Sequence, residues 1–146
     1  MKKRRDGNSY MNGYHQSYLF NKNNLKNERR KMNMFGRKTI GSIFKDIYEK
    51  MDILGGIISR KEKTRNRYLT TEIQDSINLL DRTIKREYKK RKGVGELNEI
   101  NKLLTSAYGY VARIGGQIKQ GNFTKEVSLY YSYAMHNLEA VEKELQ

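Results

Sequence analysis

The chain has 146 residues and no cysteine, so it suits a single hydrophobic core and excludes disulfides, Cys-based zinc sites and thiol nucleophiles. Its 30 Lys and Arg against 16 Asp and Glu give a net charge of +14 and a pI near 9.9, which points to a polyanionic partner. The first residues are charged and polar, and no stretch approaches the roughly 18 apolar residues of a membrane span, so a cytoplasmic protein with no membrane partner is expected.

Residues 1–39 carry eleven Lys and Arg against two acids and show no sustained apolar period. They read as a flexible basic arm in which Lys2, Lys3, Arg4, Arg5, Arg29, Arg30 and Lys31 are candidate phosphate contacts. Tyr10, Tyr14 and Tyr18 stand at i, i+4 spacing and would line one face of a short helix if a partner ordered it, with rings free to stack on unpaired bases. The plainer alternative is that tyrosine is common here, with 11 in the chain.

From residue 40 onward, apolar residues recur at alternating steps of three and four, which puts each set on one narrow stripe of a helix. The first set is Ile40, Phe44, Ile47, Met51 and Leu54, predicting a helix from about Thr39 that stops at Gly55-Gly56. A basic linker follows, with Arg60, Lys61, Lys63, Arg65 and Arg67 as weaker candidates for phosphate binding; a merely soluble linker reads almost as well. The second set is Ile73, Ile77, Leu80, Ile84 and Tyr88. It predicts a helix that starts near Thr70 or Thr71, with Thr71 and Gln74 at capping-box spacing, and ends near Lys92 before Gly93-Val94-Gly95.

The third set runs Leu97, Ile100, Leu104, Ala107, Val111, Ile114 and Ile118, for a helix over about 96–120. Gly115-Gly116 inside it costs on the order of 1 kcal/mol per glycine relative to alanine and implies a close neighbour or a kink. After a turn at Gly121-Asn122, with Asn122 or Thr124 as N-cap, the fourth set is Val127, Tyr131, Ala134, Leu138, Val141 and Leu145.

Four such helices joined by short connections predict an all-α, antiparallel up-down-up-down bundle over residues 40–146. Charge is unevenly spread over it. Residues 82–92 hold seven cations and one acid, residues 59–68 five and one, and residues 93–146 five and six. The alternation brings the start of the first helix and the 82–92 segment to one end, so a strong and a weak basic pole are expected.

Arg82, Lys85, Arg86 and Lys89 share a helix face, and Lys90, Arg91 and Lys92 extend it. Cations in a last helical turn gain about 0.3 to 1 kcal/mol each from the helix dipole, which accounts for two or three of them but not all seven. A phosphate-binding surface is the better account, reading backbone and shape more than base sequence. For catalysis there is little: two histidines, His15 and His136, the latter off the apolar stripe, and no metal-ligand spacing, so no catalytic residue, metal or cofactor is assigned. Gly93-x-Gly95 lacks the strand and the Lys-Ser/Thr of a phosphate loop and reads as a turn.

Several of these elements together resemble a known family. Arg67-Tyr68 precedes Leu69-Thr70, Ile73 leads to Leu79-Leu80, Ile84 and Tyr88 close the second helix, and Tyr131-Ser132-Tyr133-Ala134 stands in the fourth. Over about residues 44–145 this order resembles the accessory variability determinant proteins of diversity-generating retroelements, within a wider group of small bacterial four-helix-bundle proteins. The Pro and Trp often found in that pattern are missing, and residues 1–39 have no counterpart in it.

The resemblance implies a non-enzymatic homopentameric subunit that binds a reverse transcriptase and engages template RNA, single-stranded cDNA or their hybrid to support mutagenic copying. Five copies at +14 each would gather about +70, a repulsion that bound RNA would relieve. Two rival readings remain. One is a plasmid-mobilisation or architectural DNA-binding protein that prefers duplex DNA. The other is a protein adaptor whose partner surface is built from off-stripe residues such as Ile43, Leu79, Leu103, Tyr108 and Tyr130.

Overall fold

Four α-helices in chain order make up the fold in a computed structural model that describes residues 38–62 and 68–146. They are α1 (Ile40–Arg60), α2 (Leu69–Tyr88), α3 (Val94–Lys119) and α4 (Lys125–Glu144), an all-α four-helix bundle, and Thr39–Gln146 form one compact unit. The arm with Tyr10, Tyr14 and Tyr18 lies outside the described residues, as do Lys63, Arg65 and Arg67. Among the described residues no helix is long and apolar enough to cross a membrane.

The periodic residues form one core. Phe44, Ile47, Met51 and Leu54 of α1 are buried with Ile73, Ile77, Leu80 and Ile84 of α2, and with the α3 stripe from Ile100 to Ile118. Val127, Ala134, Leu138 and Val141 of α4 complete it, while Ile40, Tyr88, Leu97, Tyr131 and Leu145 at the margins are partly covered. Ile43 belongs to the core as well, at 1% exposure, so it is no part of a partner surface.

Side-chain hydrogen bonds tie each helix to its neighbours. Ser76 Oγ donates to Asp46 Oδ2 at 2.9 Å across α1 and α2, and Asn101 Nδ2 donates to Asp81 Oδ1 at 3.1 Å across α2 and α3. Asn137 Nδ2 reaches Leu103 O at 3.4 Å across α3 and α4. Of the neighbouring pairs α1–α2, α2–α3, α3–α4 and α1–α4, the last meets least closely, and two tyrosines bridge it: Tyr48 Oη donates to Glu142 Oε1 at 3.1 Å and Tyr131 Oη to Met51 O at 2.8 Å. Burial and the neighbouring Glu142 carboxylate raise the Tyr48 pKa, so the phenol stays a donor.

The helix ends correct the sequence reading in four places. α1 does not stop at Gly55-Gly56 but runs on to Arg60. Its apolar stripe continues through buried Ile57 and Ile58, and burying two such side chains offsets the roughly 1 kcal/mol each glycine costs. The true stop is Lys61 in the left-handed region (φ 54°), where Lys61 N–H bonds Ile58 O and Glu62 N–H bonds Ile57 O in a Schellman pattern. Gly55 serves packing instead: a Cβ there would stand 2.7 Å from Tyr131 Oη.

α2 begins at Leu69 rather than near Thr70 or Thr71, because Leu69 and Thr70 are buried and belong inside the helix; the Thr71–Gln74 capping box does not exist. It ends at Tyr88, short of Lys92, where the N–H groups of Arg91 and Lys92 both bond Tyr88 O at 2.9 Å. α3 starts at Val94 rather than near Glu96, so of the expected Gly93-Val94-Gly95 turn only Gly93 lies outside the helix, its N–H donating to Glu96 Oε1 at 3.1 Å. The expected turn at Gly121-Asn122 is present, with Gly121 at φ 79° and Asn122 N–H bonded to Gln117 O.

Gly109 and Gly116 also sit inside α3, yet a Cβ at either would meet nothing within 4 Å. Their replacement by alanine adds helix propensity without a clash. The G109A/G116A double variant is expected to be more stable by about 1 to 2 kcal/mol, read as a higher midpoint in urea at unchanged slope.

Candidate nucleic-acid interface

The strong basic pole forms where α2 hands over to α3. On α2 the buried stripe of Ile73, Ile77, Leu80 and Ile84 leaves the opposite face to solvent, and Arg82, Lys85 and Lys89 are exposed on it. Arg86 is half-buried at the edge of this face. Lys89 closes the helix, and Lys90, Arg91 and Lys92 form the turn held to Tyr88 O. The up-down order puts Thr39, the N-cap of α1, at this same end.

The seven cations are not equivalent. Lys85 Nζ pairs with Asp81 Oδ2 at 3.0 Å, Lys92 Nζ with Glu96 Oε2 at 3.6 Å, and Arg86 Nη2 with Glu87 Oε2 at 3.6 Å. The Arg86 Nη2 atom is otherwise buried without a hydrogen-bond partner. Among the described residues Arg82, Lys89, Lys90 and Arg91 have no acid at ion-pair distance, so the net outward field comes chiefly from these four. Arg91 also lies over an aromatic ring. Its guanidinium carbon lies 4.5 Å from the Tyr88 ring centroid, and Lys92 Nζ lies 6.0 Å from the same centroid.

The opposite end is weaker than its sequence suggests. Arg60 Nε sits 2.9 Å from Glu62 Oε2 and its Nη2 donates to Glu62 Oε1 at 3.1 Å, so its charge is answered by a neighbour two residues on. This hydrogen bond lowers the Glu62 pKa. Lys61 remains exposed.

A second feature escaped the stripe analysis. On the outer seam of α3 and α4, Tyr110 stacks on Tyr130 with centroids 6.0 Å apart and meets Tyr133 at 5.4 Å. Arg113 lies 5.6 Å from the Tyr130 centroid and 6.0 Å from that of Tyr110. Tyr133 is 46% exposed, and Tyr108 and Leu129 are also exposed large hydrophobics. Of the off-stripe residues expected to meet a partner, Tyr108 is exposed while Leu79, Leu103 and Tyr130 are half-buried against the core. The i, i+3 spacings Tyr110–Arg113 and Tyr130–Tyr133 were visible in the sequence, but not that both pairs share one seam.

His136 is exposed on α4, as its place off the stripe implied. Among the described residues no group of three or more His, Cys, Asp and Glu is placed to hold a metal ion. No protein-family model matches the chain, and neither does any curated protein or any solved structure.

Proposed function

We propose that this protein is a non-catalytic accessory subunit that binds RNA, or single-stranded or hybrid nucleic acid, through the α2–α3 pole. The observation that carries this reading is the group of outward cations without acidic partners among the described residues, Arg82, Lys89, Lys90 and Arg91, at the end where the chain enters α1 after a segment holding eleven further Lys and Arg. Fixed positive charge of this density recruits phosphate by releasing condensed counterions. In the setting implied by the family resemblance, the nucleic acid is the template RNA or cDNA of a diversity-generating retroelement, the protein partner is its reverse transcriptase, and the subunit works as a homopentamer.

The α3–α4 seam supports a protein-binding role beside the nucleic-acid one. Residues 93–146 are close to neutral, with five cations and six acids, and exposed tyrosines with an arginine are the composition of interface anchors. If the pole were inert, this seam would leave the adaptor reading as the better one.

The test is binding of the purified chain to a structured RNA, single-stranded DNA and duplex DNA of matched length between about 50 and 200 mM salt, with mass in solution recorded alongside. The expected result is preference for RNA, an affinity falling by roughly 10³ to 10⁵ across that range if some 6 to 10 phosphates are engaged, and a mass of several subunits. Preference for duplex DNA moves the reading to an architectural or mobilisation protein. No binding near 150 mM moves it to the adaptor.

A further inference from the structure

From the α2–α3 turn we infer that Arg91, backed by Tyr88, is a stacking site for an unpaired nucleobase. This rests on the nucleic-acid reading of the pole and specifies what the pole takes: a single strand or a loop rather than a continuous duplex. Tyr88 is the last residue of α2, and its ring packs against the margin of the core, so it is held in place from within. The N–H groups of Arg91 and Lys92 both bond Tyr88 O at 2.9 Å, which fixes the turn. The guanidinium is laid 4.5 Å from the ring centroid while Arg91 itself remains exposed.

A guanidinium is planar and weakly hydrated. With one face on an aromatic ring, its other face offers a flat cationic shelf of the kind on which bases stack. Among the described residues Arg91 has no ion-pair partner to compete for that face, and Lys89 and Lys90, likewise unpaired, stand beside it to hold the flanking phosphates. Val94, at 76% exposure just beyond the turn, adds an apolar contact in reach of a splayed base. A paired base inside a duplex presents only its edge and cannot use such a shelf; an unpaired base presents its face.

The experiment uses the full chain and three labelled probes of equal length: a single-stranded RNA, a blunt RNA duplex, and an abasic strand with the same number of phosphates. Arg91→Lys keeps the charge and removes the plane, while Tyr88→Leu keeps apolar bulk and removes the ring; circular dichroism checks that both fold. The expected result is that wild type binds the single-stranded RNA more tightly than the abasic strand. Arg91→Lys then weakens the single strand about tenfold while leaving the duplex, the abasic strand and the salt slope unchanged. Equal effects on all three probes, or none, overturn the stacking site while leaving the phosphate-binding reading intact. Wild-type failure to bind any probe overturns both.

Discussion

Replacing Arg82, Lys89 and Lys90 together by glutamine should lower RNA affinity about 50-fold near 150 mM salt and reduce the slope of log K against log salt by about 2 to 3. These are three of the four outward cations of the pole without an acidic partner among the described residues, Arg91 being the fourth, so each can release a counterion fully on meeting a phosphate. Lys85→Gln alone should change affinity less than Lys89→Gln alone, because Asp81 already sits 3.0 Å from the Lys85 ammonium. Arg60→Gln at the far end should change it least, since Glu62 answers that charge at 2.9 Å. Glutamine keeps helix propensity and the positions are exposed, so the bundle should melt as wild type does. Equal slopes for the triple variant and wild type would remove the pole as the binding surface.

Gly115→Ala is the substitution expected to damage the fold most for its size. A Cβ at that position would stand 2.5 Å from Thr70 Oγ1 and 3.2 Å from Thr70 Cβ, where α2 and α3 approach closely. Thr70 is buried and β-branched, so it cannot swing aside cheaply. Overpacking of this kind costs about 1 to 3 kcal/mol, more than the roughly 1 kcal/mol that alanine gains in helix propensity. A net loss of up to about 2 kcal/mol is expected, lowering the melting midpoint by up to about 16 °C. Thr70→Ala in the same chain should restore part of it, because the hydroxyl and methyl go while the 3.2 Å approach of Cβ stays. A coupling energy near zero in the double-mutant cycle would show that the two helices part freely there.

These two expectations rest on different kinds of information. The Arg82–Lys92 cluster is written in consecutive residues of one helix and its turn, so its existence and its exposed face follow from helical spacing alone. Which of its charges are answered does not follow from that spacing. Asp81 and Glu87 are local acids, but Glu96 meets Lys92 only because the chain turns into α3 at Gly93. The 4.5 Å approach of Arg91 to the Tyr88 ring lies in the turn just past the end of α2, where helical spacing had continued the helix to Lys92.

Glycine was the least legible residue type. Gly55-Gly56 looked like a stop signal and is the interior of α1, because Ile57 and Ile58 beyond it are buried, and Gly55 lies against Tyr131, far along the chain on α4. Gly115 and Gly116 read alike in sequence, yet one lies against Thr70 and the other faces open space. By itself, then, the sequence determined the number of helices, their buried stripes and the placement of charge along the chain, since a repeat near 3.6 residues is a local property that only a helix bundle can bury. The tertiary structure alone decided the helix ends at Arg60, Leu69 and Tyr88, the closeness of Gly115 to Thr70, and the meeting of Tyr110, Arg113, Tyr130 and Tyr133 on one seam. Those depend on the rotation and register of one helix against another, which no repeat within a single helix encodes.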